Sequence, residues 1–259
     1  MRKITFAVYA LFGLTFAYAQ EPLPTVPPSH VFLPRFDFAI SLASLASSDP
    51  RFSYDGRATA DFDVVDYVKG RTSLFAEYQV VMGKQLRSFD PNQGNYTFEG
   101  ASSLRFRGTE VAGIFHHLSR HLSDRPNVQS IAFNAVGGRV MHHFNRSKTG
   151  IDVRADVEKV IQHAFLDYSW TMQIHAAARR PINARSAVFG RAALETYGVD
   201  PAIAGRSQQN GGRVEGGLLI NGARAAVEMY AGWEQVVDAY PLERVPQRFS
   251  FIGFRLAAK

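Results

Sequence analysis

A chain of 259 residues without a single cysteine is long enough for one domain or two, and an exported fold built from it cannot rest on disulfides. Its 29 Lys and Arg stand against 23 Asp and Glu, a formal +6. Without Arg2 and Lys3, which read as part of an export signal, 27 bases remain and the excess is +4: enough to favour anionic lipid head groups or lipopolysaccharide phosphates, and too small to argue for nucleic acid.

Met1 to Ala19 has the layout of a secretory signal, with a charged start at Arg2 and Lys3, an apolar run from Ile4 to Phe16, and a small-x-small site at Ala17-Tyr18-Ala19. The run is shorter than the ~20 residues a spanning helix needs, and no later segment is long and apolar enough to be one. The mature chain is expected to begin at Gln20. Glu21 to Pro34 holds five prolines and no periodicity, which predicts an extended periplasmic lead-in or a short plug over 20–34, and not a strand.

From Arg35 onward, apolar and polar residues alternate in runs of about ten residues, the pattern of strands in a transmembrane barrel. Phe36, Phe38, Ile40 and Leu42 alternate with Asp37, Ala39 and Ser41. Further on, Ile151, Val153, Ala155 and Val157 oppose Asp152, Arg154, Asp156 and Glu158, and Ala225, Val227, Met229 and Ala231 oppose Arg224 and Glu228. Connections alternate in length. Val68 to Gly70, Gly108, Asn145 to Thr149, Arg179 to Asn183 and Asn221-Gly222 are short, whereas Ser47 to Asp55, Gly83 to Asn95, Ser123 to Val128, Tyr197 to Gly212 and Ala239 to Pro246 are mostly longer.

These features predict a closed antiparallel transmembrane β-barrel over 35–259, all-β, with about twelve strands, a polar interior and both termini periplasmic. The strand number falls to about ten if the segment near Gln162 to Ala164 does not turn. A soluble β-sandwich or lipocalin-like barrel would show the same alternation with its charges in water. The expected location is the outer membrane of a Gram-negative bacterium, reached through the barrel-assembly machinery. Luminal charges such as Asp61, Glu77, Arg105, Arg154, Arg191 and Glu228 are expected to pair with one another, because buried charges persist when paired.

Thr109 to Phe144 reads as a hairpin turning at Ser123-Asp124-Arg125-Pro126-Asn127. Strand geometry puts His117, Ser119 and His121 on one face and His116 and Arg120 on the other. Pairing His117 with Asn134 centres the hairpin on its turn residues. If Glu110 and Arg120 are luminal, His117, Ser119 and Asn134 face the membrane. If the face with Ala112, Ile114 and Leu118 is outward instead, they form a hydrogen-bonded polar row on the luminal wall beside Glu110 or Arg139. Ser119 as nucleophile, His117 as base and Asn134 as orienter would fill the three roles of a serine hydrolase. His121, Arg120 and Asp124 are candidate substrate-binding residues. Asp124 is also a candidate oxygen ligand for Ca²⁺, which could stabilise an oxyanion. A metal site from His116, His117 and His121 is a further alternative.

His117-Leu118-Ser119 and Phe133-Asn134 resemble the His-x-Ser and Trp-Asn elements of outer-membrane phospholipase A, a twelve-stranded barrel whose Ser-His-Asn site faces lipid. His-x-Ser is shared with lipid A deacylases, whose third member is an acid. The longer unit from His117 to Asp124 is similar to a His-x-Ser-x-His-Leu-x-Asp motif of other bacterial outer-membrane proteins. This sequence departs from the phospholipase in a longer spacing from Ser119 to Asn134, and in Arg120-His121 where that family has Asn-Gly. The resemblance implies an acyl hydrolase of phospholipid or lipid A esters. The alternative is a non-enzymatic structural or small-solute barrel.

Overall fold

In the computed structural model, which describes residues 26–122, 130–200, 202 and 205–258, twelve strands follow one another along the chain. They are β1 (Val31–Ala46), β2 (Tyr54–Asp66), β3 (Arg71–Gly83), β4 (Asp90–Phe106), β5 (Thr109–His121), β6 (Ile131–Arg146), β7 (Thr149–Ala164), β8 (Tyr168–Pro181), β9 (Ser186–Val199), β10 (Gln209–Asn221), β11 (Ala225–Tyr240) and β12 (Val245–Ala258). Each pairs antiparallel with the next, and β12 returns to β1 from Phe38↔Ala258 to Ala46↔Ser250, so the sheet closes without an edge. The expected export signal, and Asp124 with the turn expected around it, lie outside the described residues.

The alternation read from the sequence sorts the two faces in a way no soluble sandwich would. Phe36, Leu104, Phe115, Val140, Ile174, Met229 and Ile252 are exposed on the outer wall, while Glu110, Asp156, Glu215 and Arg213 are buried inside. An apolar wall around a charged interior is stable only where the surroundings are hydrocarbon. The interior charges are paired as expected. Arg71 binds Asp63 at 2.9 Å and Glu110 at 2.8 Å, and Arg139 binds Asp156 at 2.9 Å and also Glu99. Glu215 is held by Arg191, Arg213 and Arg255 at 3.0, 2.9 and 3.1 Å.

Between these ionic layers the lumen holds apolar clusters: Phe133, Leu166, Tyr168, Tyr197 and Val237 in one, and Phe52, Phe249, Phe251 and Tyr230 in another. At the rim, Arg206 ties Asp167 at 2.6 Å to Asp238 at 2.7 Å, and Arg244 adds a bond to Asp167 at 3.0 Å.

Strand ends differ from the sequence expectation in two places. The loops expected over Gly83 to Asn95 and Tyr197 to Gly212 are shorter, because β4 starts at Asp90 and β9 runs to Val199. Asp90, Asn92, Gln93 and Asn95 are buried there, so polar residues that read as loop are strand residues facing inward. The lead-in expected over 20–34 meets β1 at Val31, so its last four residues are strand. A register shift between Phe32 and Arg35 accommodates Pro34, which has no N–H for a regular ladder. The connection between β7 and β8 covers only 165–167 and still reverses the chain, which makes the strand number twelve and not ten. At the opposite end the two-residue turn Arg107-Gly108 has φ of 48° and 82°, the doubly left-handed geometry of a type I′ hairpin, which glycine tolerates.

Candidate active site on the membrane-facing wall

The pairing of β5 with β6 sets His117 opposite Asn134 and Ser119 opposite Ala132. Glu110 and Arg120 lie inside: Glu110 is bound to Arg71 and Arg105, and Arg120 donates to the carbonyl of Asp238 at 2.7 Å. Strand periodicity then turns His117, Ser119 and His121 outward, beside the exposed Val111 and Phe115. Of the two orientations open to the sequence, the outward one is therefore the one adopted, and the luminal polar row is not formed.

The geometry fixes one ring and leaves one nitrogen free. His117 Nδ1 lies 2.6 Å from Asn134 Oδ1, and Asn134 Nδ2 donates to Gln162 Oε1 at 2.8 Å. Because Nδ2 of Asn134 donates to Gln162, its oxygen is the atom that faces the ring and accepts from Nδ1–H, which leaves Nε2 as the acceptor of the neutral imidazole. Ser119 lies between His117 and His121 on the same face, and its Oγ is 3.4 Å from His121 Nε2. The His121 ring meets Tyr96 edge-on at 5.3 Å, and Tyr96 packs on Tyr78 at 4.8 Å. Exposed tyrosines in such a row belong at the level where hydrocarbon gives way to head groups.

Toward the middle of the wall from this row, small residues open a shallow trough. Gly100, Ser102 and Gly113 form its floor, with Leu74, Phe115 and Val136 at its sides. A Cβ on Gly113 would meet nothing within 4 Å.

Three expected residues do not join the group. Arg120 points into the barrel and cannot meet a substrate at the outer wall from there, a correction that strand parity alone accounts for. His116 also faces inward, 3.0 Å from Glu158, so it cannot share a metal with His117 and His121. Among the described residues no group of three His, Asp or Glu side chains is placed to hold a metal ion. Asp124 lies outside the described residues.

Three members were missed in the sequence. Gln162 has the parity of luminal Glu158, but a bulge between Asn134↔Gln162 and Ala135↔Val160 turns it outward. Tyr78 and Tyr96 show only as two apolar positions in separate runs. Their adjacency is a product of register, with Tyr78 opposite Tyr96 and Tyr96 opposite Ser119.

No family model matches the chain, and no curated protein does. Among solved structures it is similar to outer membrane phospholipase A from Escherichia coli, at 10% identity and a TM-score of 0.53, covering 88% of this chain and 98% of that one. It is also similar to Omp33 of Acinetobacter baumannii, at 13% identity and a TM-score of 0.40 over 86% of this chain and 97% of that one. A third is OmpT of Vibrio cholerae, at 9% identity and a TM-score of 0.42 over 86% and 95%. With the phospholipase as the match that carries weight, the chain has the fold of a bacterial outer-membrane β-barrel.

Proposed function

We propose that this barrel, exported on its N-terminal signal and inserted in the outer membrane of a Gram-negative bacterium by the barrel-assembly machinery, hydrolyses acyl esters of phospholipid or lipid A at the outer leaflet. The observation that carries the reading is the bond from His117 Nδ1 to Asn134 on a lipid-facing wall beside Ser119. Rotation of the serine side chain brings its hydroxyl from His121 toward His117. Ser119 Oγ then attacks the ester carbonyl while His117 Nε2 takes its proton, and the protonated ring returns that proton to the leaving alcohol. Water repeats the sequence on the acyl-serine and releases a fatty acid. His121 would contact the substrate's polar end, and the trough beside Gly113 would take an acyl chain. Asp124 and a Ca²⁺ ion would serve the oxyanion.

The test is ester release from mixed outer-membrane lipid micelles with Ca²⁺ supplied. Ser119→Ala is expected to abolish it, and His117→Ala to lower it at least about a hundredfold. Release unchanged in Ser119→Ala would remove the serine from the mechanism.

A second reading is favoured by the Ser119 contact to His121 and by the filled lumen: a structural barrel whose polar row steadies the wall at the head-group level. It predicts no ester release from wild type or variants, and a lowered melting temperature in Ser119→Ala.

A further inference from the structure

Every turn at the end of the barrel where β1 begins and β12 ends holds an exposed cation. Lys69 lies in 67–70, Arg107 in 107–108, Lys148 in 147–148, Arg185 in 182–185 and Arg224 in 222–224, and no Asp or Glu occurs in any of these turns. None of the five cations makes an ion pair among the described residues. The acids nearest this end face inward and are already engaged: Asp63 by Arg71, Asp61 by Arg35 and Asp66 by Arg105. At the opposite rim the loops carry both signs and neutralise one another, as in Arg51 with Asp49 and Glu243, or Asp167 with Arg206 and Arg244. The asymmetry therefore belongs to one end, and it is larger locally than the net charge suggests.

Position decides what such a ring meets. The turns directly continue the apolar wall, with Arg107 following exposed Phe106 and Lys148 following Phe144 by four residues. Cations at the border of a hydrocarbon belt lie at head-group depth, where phosphate is within reach of a Lys or Arg side chain. We propose that the turn-side rim is a binding ring for anionic phospholipid, selecting phosphatidylglycerol-type head groups in the leaflet it contacts. The ring is independent of any chemistry at Ser119, since it lies at the other end of β5 and β6.

The full chain would be reconstituted in nanodiscs of diether phosphatidylcholine containing diether phosphatidylglycerol, lipids without ester bonds, so that hydrolysis cannot alter the composition. Spin-labelled diether lipids then read the relative association of each head group with the barrel. A preference for phosphatidylglycerol of at least about fivefold is expected, the factor that one Lys or Arg near the surface supplies. Replacing the five cations together (Lys69→Gln, Arg107→Gln, Lys148→Gln, Arg185→Gln, Arg224→Gln) should bring the preference near unity, while Lys84→Gln at the other rim leaves it intact. Should the combined variant fail to insert, salt on the wild type gives the same answer, because ~1 M salt shortens screening to about 3 Å. Equal association of both lipids with wild type, the result if the ring serves an acidic protein instead, overturns the proposal, as does a preference that survives salt.

Discussion

His117 takes its orientation from a residue seventeen positions away. Asn134 holds the imidazole from across the hairpin, and Gln162 in turn orients Asn134. The first link was legible, since pairing His117 with Asn134 requires only that the hairpin be symmetric about its turn. The second was not, because a β-bulge is a local backbone decision that leaves no mark in an apolar-polar pattern. Titration at this scale is clearest at the rim, outside the hydrocarbon. Burial alone would raise the Asp167 carboxyl, but hydrogen bonds from Arg206 and the charges of Arg206 and Arg244 outweigh it and hold Asp167 below its ordinary value. A depressed folded pKa gives stability that is present above the unfolded value of about 3.9 and is lost as pH falls through the lower folded value. The resistance of wild type to urea is therefore expected to fall between about pH 5 and about pH 3, with a shallower pH dependence in Asp167→Asn. Identical slopes for the two proteins would show that the Arg206 clasp contributes nothing.

At the scale of elements, two glycines of the wall separate packing from function. Gly137 sits where a Cβ would be 2.1 Å from the carbonyl oxygen of Val157 and 2.7 Å from Glu158 Cα, so the neighbouring strand would have to move. Gly137→Ala is expected to destabilise the barrel by about 1–3 kcal/mol, seen as a lower urea midpoint. Gly113 has open space, so Gly113→Phe should fold normally and fill the trough instead. If the trough holds an acyl chain, that variant hydrolyses long-chain esters more slowly while short, water-soluble esters are processed as before; an equal loss on both would deny the trough that role. Sequence periodicity located the strands through their lipid-facing stretches, where hydrocarbon enforces alternation. It lost them above the wall, in segments such as Asp90 to Asn95, where polar side chains inside a rim look like loop.

For the whole molecule, the decisive property is the reversal of inside and outside. The composition of each run allowed either a soluble sandwich or a membrane barrel, and only closure of β12 on β1 with the charges inward chooses between them. The filled interior has a functional corollary: with ion pairs and aromatic clusters across the lumen, planar-bilayer recordings should show no steady open level. A sustained ohmic conductance would mean the ionic layers part. Those layers also carry stability. Removing the charge of Glu215, which is 1% exposed and bound to three arginines, should cost about 3–5 kcal/mol, because three buried guanidinium groups are then left to share Glu228 and Glu234. Guanidinium unfolding of Glu215→Gln from micelles measures it.

A ring has no partial version. Because β12 is the partner of both β11 and β1, it is also the stitch that joins the first strand to the rest. Until it arrives, two raw borders of backbone donors and acceptors have nowhere to go in lipid. Assembly of this chain is thus all-or-nothing, and loss of Val245–Ala258 would leave an open sheet fit for proteolysis and not a smaller barrel.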